Sequence, residues 1–360
     1  MRQLTLVLPI LLCPIATENT HAGERTCTPS ERAAILKPAT SGKDTVHVKC
    51  SLTLKASDSI SKGLLFLGPA SSNTTLNCNG ATIASPRIAR PFNKPIIHFK
   101  SKVETIDGQK TWARPENVTV KNCKIIGSIR STGMALNGEG TDLRTSSRRP
   151  GHIGRAQAAA PHAIRLSNLD LVGIGTIPLY VGPGTTALTL ENSRITGRSN
   201  SVGIYLDAES DKNVFRNNKI AVDAMREQMA VDGSANNQIT NNRFSNLSRG
   251  GIYLYRNCGE GGTVRHQPPE RNRIEGNHFF YRKFKGFGLA WQSIAANKSL
   301  RVPAIWLGSR SGFRPYCSAD GGYNVGSSIS NKNFARFNRV INNRIVKLKA
   351  SRMIIDDDKN

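Results

Sequence analysis

The sequence predicts an all-β chain wound as a right-handed parallel β-helix, a solenoid of roughly eight to ten coils. Three observations predict it. A short phrase of alternating apolar and polar residues around an Asn recurs along the chain. Its single steps are 24 or 25 residues. A second apolar phrase recurs on the same period.

The first phrase appears as Val118-Thr-Val-Lys-Asn122-Cys-Lys-Ile125, Ile164-Arg-Leu-Ser-Asn168-Leu-Asp-Leu171 and Leu188-Thr-Leu-Glu-Asn192-Ser-Arg-Ile195. It returns as Asn213-Val-Phe-Arg-Asn217-Asn-Lys-Ile220, Asn237-Gln-Ile-Thr-Asn241-Asn-Arg-Phe244 and Asn338-Arg-Val-Ile-Asn342-Asn-Arg-Ile345. Arg273-Ile-Glu-Gly276-Asn-His-Phe279 carries Gly at the Asn position. Between Asn122 and Asn168 lie two units, and the steps to Gly276 and Asn342 carry insertions. Alternation with a period of two marks strands. Inward Val, Ile, Leu and Phe then stack coil on coil, and Asn at the turn can bond neighbouring backbone and its own copy in the next coil. Leucine-rich repeats share the period, but their Leu-x-x-Leu-x-Leu spacing is absent.

The second phrase is Leu179-Tyr-Val-Gly182, Ile204-Tyr-Leu-Asp207, Met229-Ala-Val-Asp232, Ile252-Tyr-Leu-Tyr255 and a later member, Ile305-Trp-Leu-Gly308. The phrases divide the chain into an N-terminal cap with a first coil over 23–74 and coils over 75–345. Insertions fall at about 138–161, 256–270 and 281–335, and a loose tail covers 346–360. The first insertion is rich in Gly, Ser and Ala and predicts a mobile loop.

Residues 1–22 read as a signal peptide: Arg2, an apolar run from Leu4 to Ala16, then Thr20-His21-Ala22 before a cleavage site. Export to a periplasmic or secreted location follows, and no later apolar run is long enough for a transmembrane span. Loss of the leader leaves Cys27, Cys50, Cys78, Cys123, Cys258 and Cys317 of the seven cysteines. An even count in an exported chain points to disulfides. Six cysteines allow many pairings, and the sequential set Cys27–Cys50, Cys78–Cys123 and Cys258–Cys317 is preferred. No close Cys or His pair suggests a metal site.

The net charge is +25. In a cytoplasmic protein this would point to nucleic acid. In an exported one the partner class becomes acidic polysaccharide or anionic lipid headgroup, and the plain alternative is charge that only serves solubility.

Gly-Ile-Tyr-Leu followed by Asn-x-Ile-x-Asn-Asn-x-Phe resembles the repeat of the pectin-lyase-like superfamily. It is closest to its periplasmic carbohydrate-binding and sugar-hydrolase-type members and to the copper-delivery family NosD. The resemblance spans most of 75–345 and implies the fold, because the matching positions build the scaffold. The scattered His and the lack of a His, Met and Cys cluster argue against copper delivery.

Alternation turns Ile204 and Leu206 inward and Tyr205 and Asp207 outward. Stacking then predicts one outward column of Tyr180, Tyr205, Ala230, Tyr253 and Trp306, and a second holding Asp207, Asp232 and Tyr255. Such a strip suits an extended glycan. Three roles fit Asp207 and Asp232: acid and base of glycoside hydrolysis, calcium ligands, or turn residues that cap their strands. Tyr255, Arg256 and His266 are the residue types that β-elimination of a uronic acid needs, with Arg countering the carboxylate and Tyr or His moving protons. Glu209 and Arg310 complete the expected substrate contacts. The first functional expectation is a polysaccharide lyase acting on an acidic, uronate-containing polysaccharide. A glycoside hydrolase using Asp207 and Asp232 is one alternative, and a non-catalytic polysaccharide-binding or envelope protein is another.

Overall fold

A computed structural model describes residues 25–84, 94–257, 262–281, 302–309, 335–346 and 354–356. The predicted leader, Arg310 and the Cys258–Cys317 bridge lie outside the described residues. Three parallel sheets of ten, nine and ten strands run the length of the molecule, each coil giving one strand to each sheet in turn. The first sheet begins at Thr45–His47 and ends at Ile354–Asp356. The second runs from Leu52–Thr53 to Arg339–Ile341 and the third from Ser59–Ile60 to Arg344–Val346.

The register explains why the repeat folds this way. In the third sheet Ile125, Leu171, Ile195, Ile220, Phe244 and Phe279 stand in one inward column. Val120, Leu166, Leu190, Phe215, Ile239 and Ile274 do the same in the second. All are sealed from solvent in one continuous core. Burial contributes on the order of 1.5–3 kcal/mol per such side chain. A one-residue slip would turn every one of them outward, which pins the register.

The corners belong to Asn, but two neighbouring positions divide the work. Asn122, Asn168, Asn192, Asn217, Asn241 and Asn342 adopt left-handed backbone with φ between 51° and 58°. Gly276 takes the same conformation in the variant copy, as only Gly and Asn do at little cost. The buried hydrogen-bond ladder is formed mainly by the next residue. Asn218 donates its backbone N–H to Asn242 Oδ1 at 3.0 Å, Asn242 to Asn277 Oδ1 at 2.9 Å, and Asn277 to Asn343 Oδ1 at 3.0 Å. A parallel ladder joins Asn213, Asn237, Asn272 and Asn338.

Two expectations change. The first coil starts at Thr45, inside the 23–74 segment, where Leu52, Ile60 and Leu64 stack in register with the coils that follow. The cap is a single helix, α1 (Pro29–Leu36), closed by a Thr28/Glu31 capping box. At the other end Ile354–Asp356 pairs with Ile305–Leu307 instead of trailing as a loose tail. The first insertion is not a mobile loop: it folds into α2 (Thr141–Ser147) and α3 (His152–Ala159), which bury Leu143 and Ala156 against Ala135. Disulfides Cys27–Cys50 and Cys78–Cys123 are formed. Among the described residues no helix is long and apolar enough to cross a membrane.

Candidate functional site

The outward columns of the first sheet stand in the predicted register. Tyr180 pairs with Tyr205, Tyr205 with Ala230, Ala230 with Tyr253 and Tyr253 with Trp306; Asp232 pairs with Tyr255. Arg130 precedes Tyr180 in the same column. The Tyr180 and Tyr205 rings stack with centroids 5.2 Å apart and planes within 6°. Each phenol donates a hydrogen bond to the carboxylate of the following coil, Tyr180 to Asp207 and Tyr205 to Asp232.

This strip is not an open groove. Asp207, Asp232, Glu209, Tyr253, Tyr255, Arg256 and Trp306 are all buried. Two insertions that are far apart in sequence close over it and grip each other. Val264 N–H donates to Ser147 Oγ at 3.0 Å, and Arg148 donates to the Gly262 carbonyl at 3.1 Å. Gly138 N–H reaches Asp207 at 2.9 Å. A Cβ at Gly138 would lie 2.1 Å from the Arg265 guanidinium, so a side chain there would push Arg265 from its present position.

Arg265 is the central cation. It is buried and donates to Asp207 at 2.7 Å. Its own burial opposes the charge, but Asp207 and Asp232 overcome that and hold its pKa well above the ordinary Arg value. Burial pushes the Asp232 carboxyl up, Arg265 pulls it down and Asp207 raises it again, with a net rise. Burial also raises Glu209 to about 7, although it accepts the backbone N–H of His266 at 2.9 Å and of Gln267 at 3.1 Å. His152 Nε2 stands 3.8 Å from Glu209. Burial lowers His152 to about 3, so this contact is not an ion pair at neutral pH.

Residues 106–299 match the family described as the right handed beta helix region. The chain belongs to this family. No curated protein matches it in sequence. Solved structures similar to this β-helix include the Dettilon tailspike protein, at 12% identity and a TM-score of 0.27, with 67% of this chain and 47% of that one covered. The chain therefore spans about half the tailspike's length. The A-module of a mannuronan C-5 epimerase from Azotobacter vinelandii shows 12% identity and a TM-score of 0.28, covering 88% and 82%. An alginate lyase in complex with a trisaccharide shows 12% identity and a TM-score of 0.23, covering 71% and 70%.

Several residues expected to carry chemistry prove to hold this β-helix together. His266 interacts through Nε2 with the Ser147 carbonyl at 2.6 Å and fastens Glu209 through its backbone. Glu209 clasps the covering segment. Asp207 accepts from Tyr180, Gly138, Ala208 and Arg265, which leaves it no capacity as a free acid or base. Arg256 lies beneath the surface, where burial lowers its pKa to about 10. Tyr253 and Trp306 pack edge to face at 5.3 Å within a small apolar cluster that also holds Tyr255 and Val202. Tyr255 bonds to Arg226 at 3.0 Å and to Glu227 at 3.3 Å.

Tyr205 is the half-buried member of the strip. Two arginines that the repeats did not single out lie on the same face, Arg130 two rungs away beyond Tyr180 and Arg226 close enough for Tyr205 to raise its pKa. Arg130 lies with its guanidinium 4.1 Å from the Tyr180 ring centroid, and Arg226 sits beside Glu227 and Tyr255 within the field of Tyr205. Arg130 was findable as the residue one coil before Tyr180, but the insertion between them hides the period.

Proposed function

We propose that the protein is a polysaccharide lyase that acts on an acidic, uronate-containing polysaccharide at the first-sheet face, with Tyr205 as the group that moves the proton. One observation carries this: a half-buried tyrosine that donates to a buried carboxylate, on a face that also holds Arg130 beyond Tyr180 and Arg226 beside Tyr255. Arg130 and Arg226 supply positive charge for a uronate carboxylate, which lowers the cost of removing the proton on the adjacent carbon. Burial and the Asp232 charge raise the Tyr205 pKa well above its ordinary value, so a free phenolate is disfavoured. Tyr205 instead passes its phenolic proton to Asp232 as it takes the C5 proton of the sugar. The raised pKa of Asp232 makes it the better proton acceptor. The C4–O4 bond then breaks, the C4=C5 double bond forms, and the proton returns through Tyr205 to the departing O4.

The hydrolase alternative is weaker, since Asp207 has all its acceptor positions engaged. Deep burial of Tyr253, Tyr255 and Trp306 removes them as stacking faces for a glycan, so they support neither catalysis nor binding. The two disulfides and the predicted leader support export. The test is ultraviolet absorbance of unsaturated uronate from a panel of polyuronates. Wild type should yield product, and Tyr205→Phe should lose roughly 10²–10⁴-fold in rate while still binding. Binding without product in the wild type would make the protein a polysaccharide-binding scaffold. Unchanged turnover in Tyr205→Phe would remove this residue from the reaction.

A further inference from the structure

We infer that the outer face of the third sheet is a separate track that binds a linear, acidic glycan along the helix axis. Its outward column holds Lys124, Asp170, Arg194, Lys219, Arg243, His278 and Arg344 in unbroken register. From Arg194 onward every rung is a basic residue type and is exposed. Strands in a sheet are about 4.8 Å apart, so the five rungs from Arg194 to Arg344 span about 19 Å in a straight line.

The fold gains nothing from this arrangement. Like charges directly opposite each other on neighbouring strands destabilise a sheet. The carboxylates on the adjoining second sheet are engaged elsewhere: Glu191 holds Arg165 and Arg216, and Glu275 holds Arg273. Among the described residues no salt bridge engages Arg194, Lys219, Arg243 or Arg344. Beside the basic column runs a half-buried column that includes Phe280 and Val346, and the Arg243 guanidinium lies 3.6 Å from the Phe280 ring centroid. Cations in single file beside a weakly polar strip match a chain with one carboxylate per sugar and a flat apolar face on each ring.

A 1,4-linked pyranose advances its chain by about one strand spacing, about 4.8 Å, so each uronate can meet one rung. Duplex DNA carries a charge every ~1.7 Å on a broad rod, and a single file of side chains would meet few of them. A lipid surface is planar and would call for a wide patch. Choosing uronate as the acid rests on the proposed function; the track itself rests on the register and the charge.

The experiment measures binding of oligo-uronates of increasing length to the full-length protein at low and moderate salt. A single-stranded DNA oligonucleotide and anionic phosphatidylglycerol vesicles serve as competing ligands. The triple variant Arg194→Gln/Lys219→Gln/Arg243→Gln is compared with Lys43→Gln/Lys49→Gln/Lys55→Gln, which removes the same charge from exposed positions near the N-terminal end. Affinity should rise with oligomer length until the chain spans about 19 Å and then level off. The ladder variant should weaken binding by about tenfold or more, and the control by less than about threefold. Equal losses in both variants would reduce the effect to net charge and overturn the track, as would tighter binding of DNA or vesicles. Loss of product with retained binding in Tyr205→Phe, and the reverse in the ladder variant, separates failure of the catalytic proposal from failure of this one.

Discussion

Glu209 links the covering segment to pH in a way that can be worked through. Its carboxyl is buried, accepts the backbone N–H groups of His266 and Gln267, and has a pKa raised from 4.5 to about 7 by burial. In the unfolded chain it ionises near the ordinary value. Below that value it is protonated in both states and carries no penalty. As pH rises from there towards about 7, the unfolded chain releases the proton while the folded one keeps it, so stability falls. The loss levels off above about 7 at about 3 kcal/mol, since each pKa unit corresponds to about 1.4 kcal/mol. Glu209→Gln cannot ionise and keeps one oxygen, at the Oε1 position 2.9 Å from the His266 N–H and 3.4 Å from that of Gln267. Urea unfolding of wild type and variant across this pH window should show wild type losing about 3 kcal/mol relative to the variant as pH rises. A difference that stays flat with pH, or that grows in favour of wild type, would refute the assignment of Glu209 as a buried, proton-holding clasp.

Two further outcomes follow from the same region and from the corners. Arg265→Met should destabilise by about 3–5 kcal/mol, because it strands Asp207 in the interior. In the Asp207→Asn background the same change should cost less, and strictly additive urea midpoints would contradict the pairing. Asn242→Ala should cost about 2–5 kcal/mol, because it leaves the buried Asn218 N–H and Phe215 carbonyl without their partner. A shift in unfolding free energy within about 0.5 kcal/mol would show that the ladder is dispensable.

Alternation and a fixed period determine the face and the column of Tyr180, Tyr205, Asp207 and Asp232. That they would be covered was not legible. The cover depends on Gly138 meeting Arg265, on Ser147 meeting Val264, and on Glu209 meeting His266, all contacts between segments with no shared periodicity. The first insertion looked mobile by composition, yet α2 and α3 are held by contacts to the later loop and by a small apolar cluster of their own. Arg226 lies outside the repeated phrases, and the insertion before Tyr180 hides the period that marks Arg130.

The sequence by itself determined the coil, its register and its direction of stacking. Each coil repeats the same local instructions, and a one-residue error would turn the whole core outward. It also marked one corner, where Asn or Gly recurs in left-handed backbone; a second left-handed position, which carries Ala163, Ala187, Lys212, Arg271 or Phe337 in most coils, left no such mark. Only the tertiary structure decided which outward residues meet solvent. The first-sheet strip and the third-sheet basic column follow from the same alternation. One is covered by insertions along most of its length, with Tyr205 left half-buried, and the other lies open, because burial depends on where distant segments come to rest.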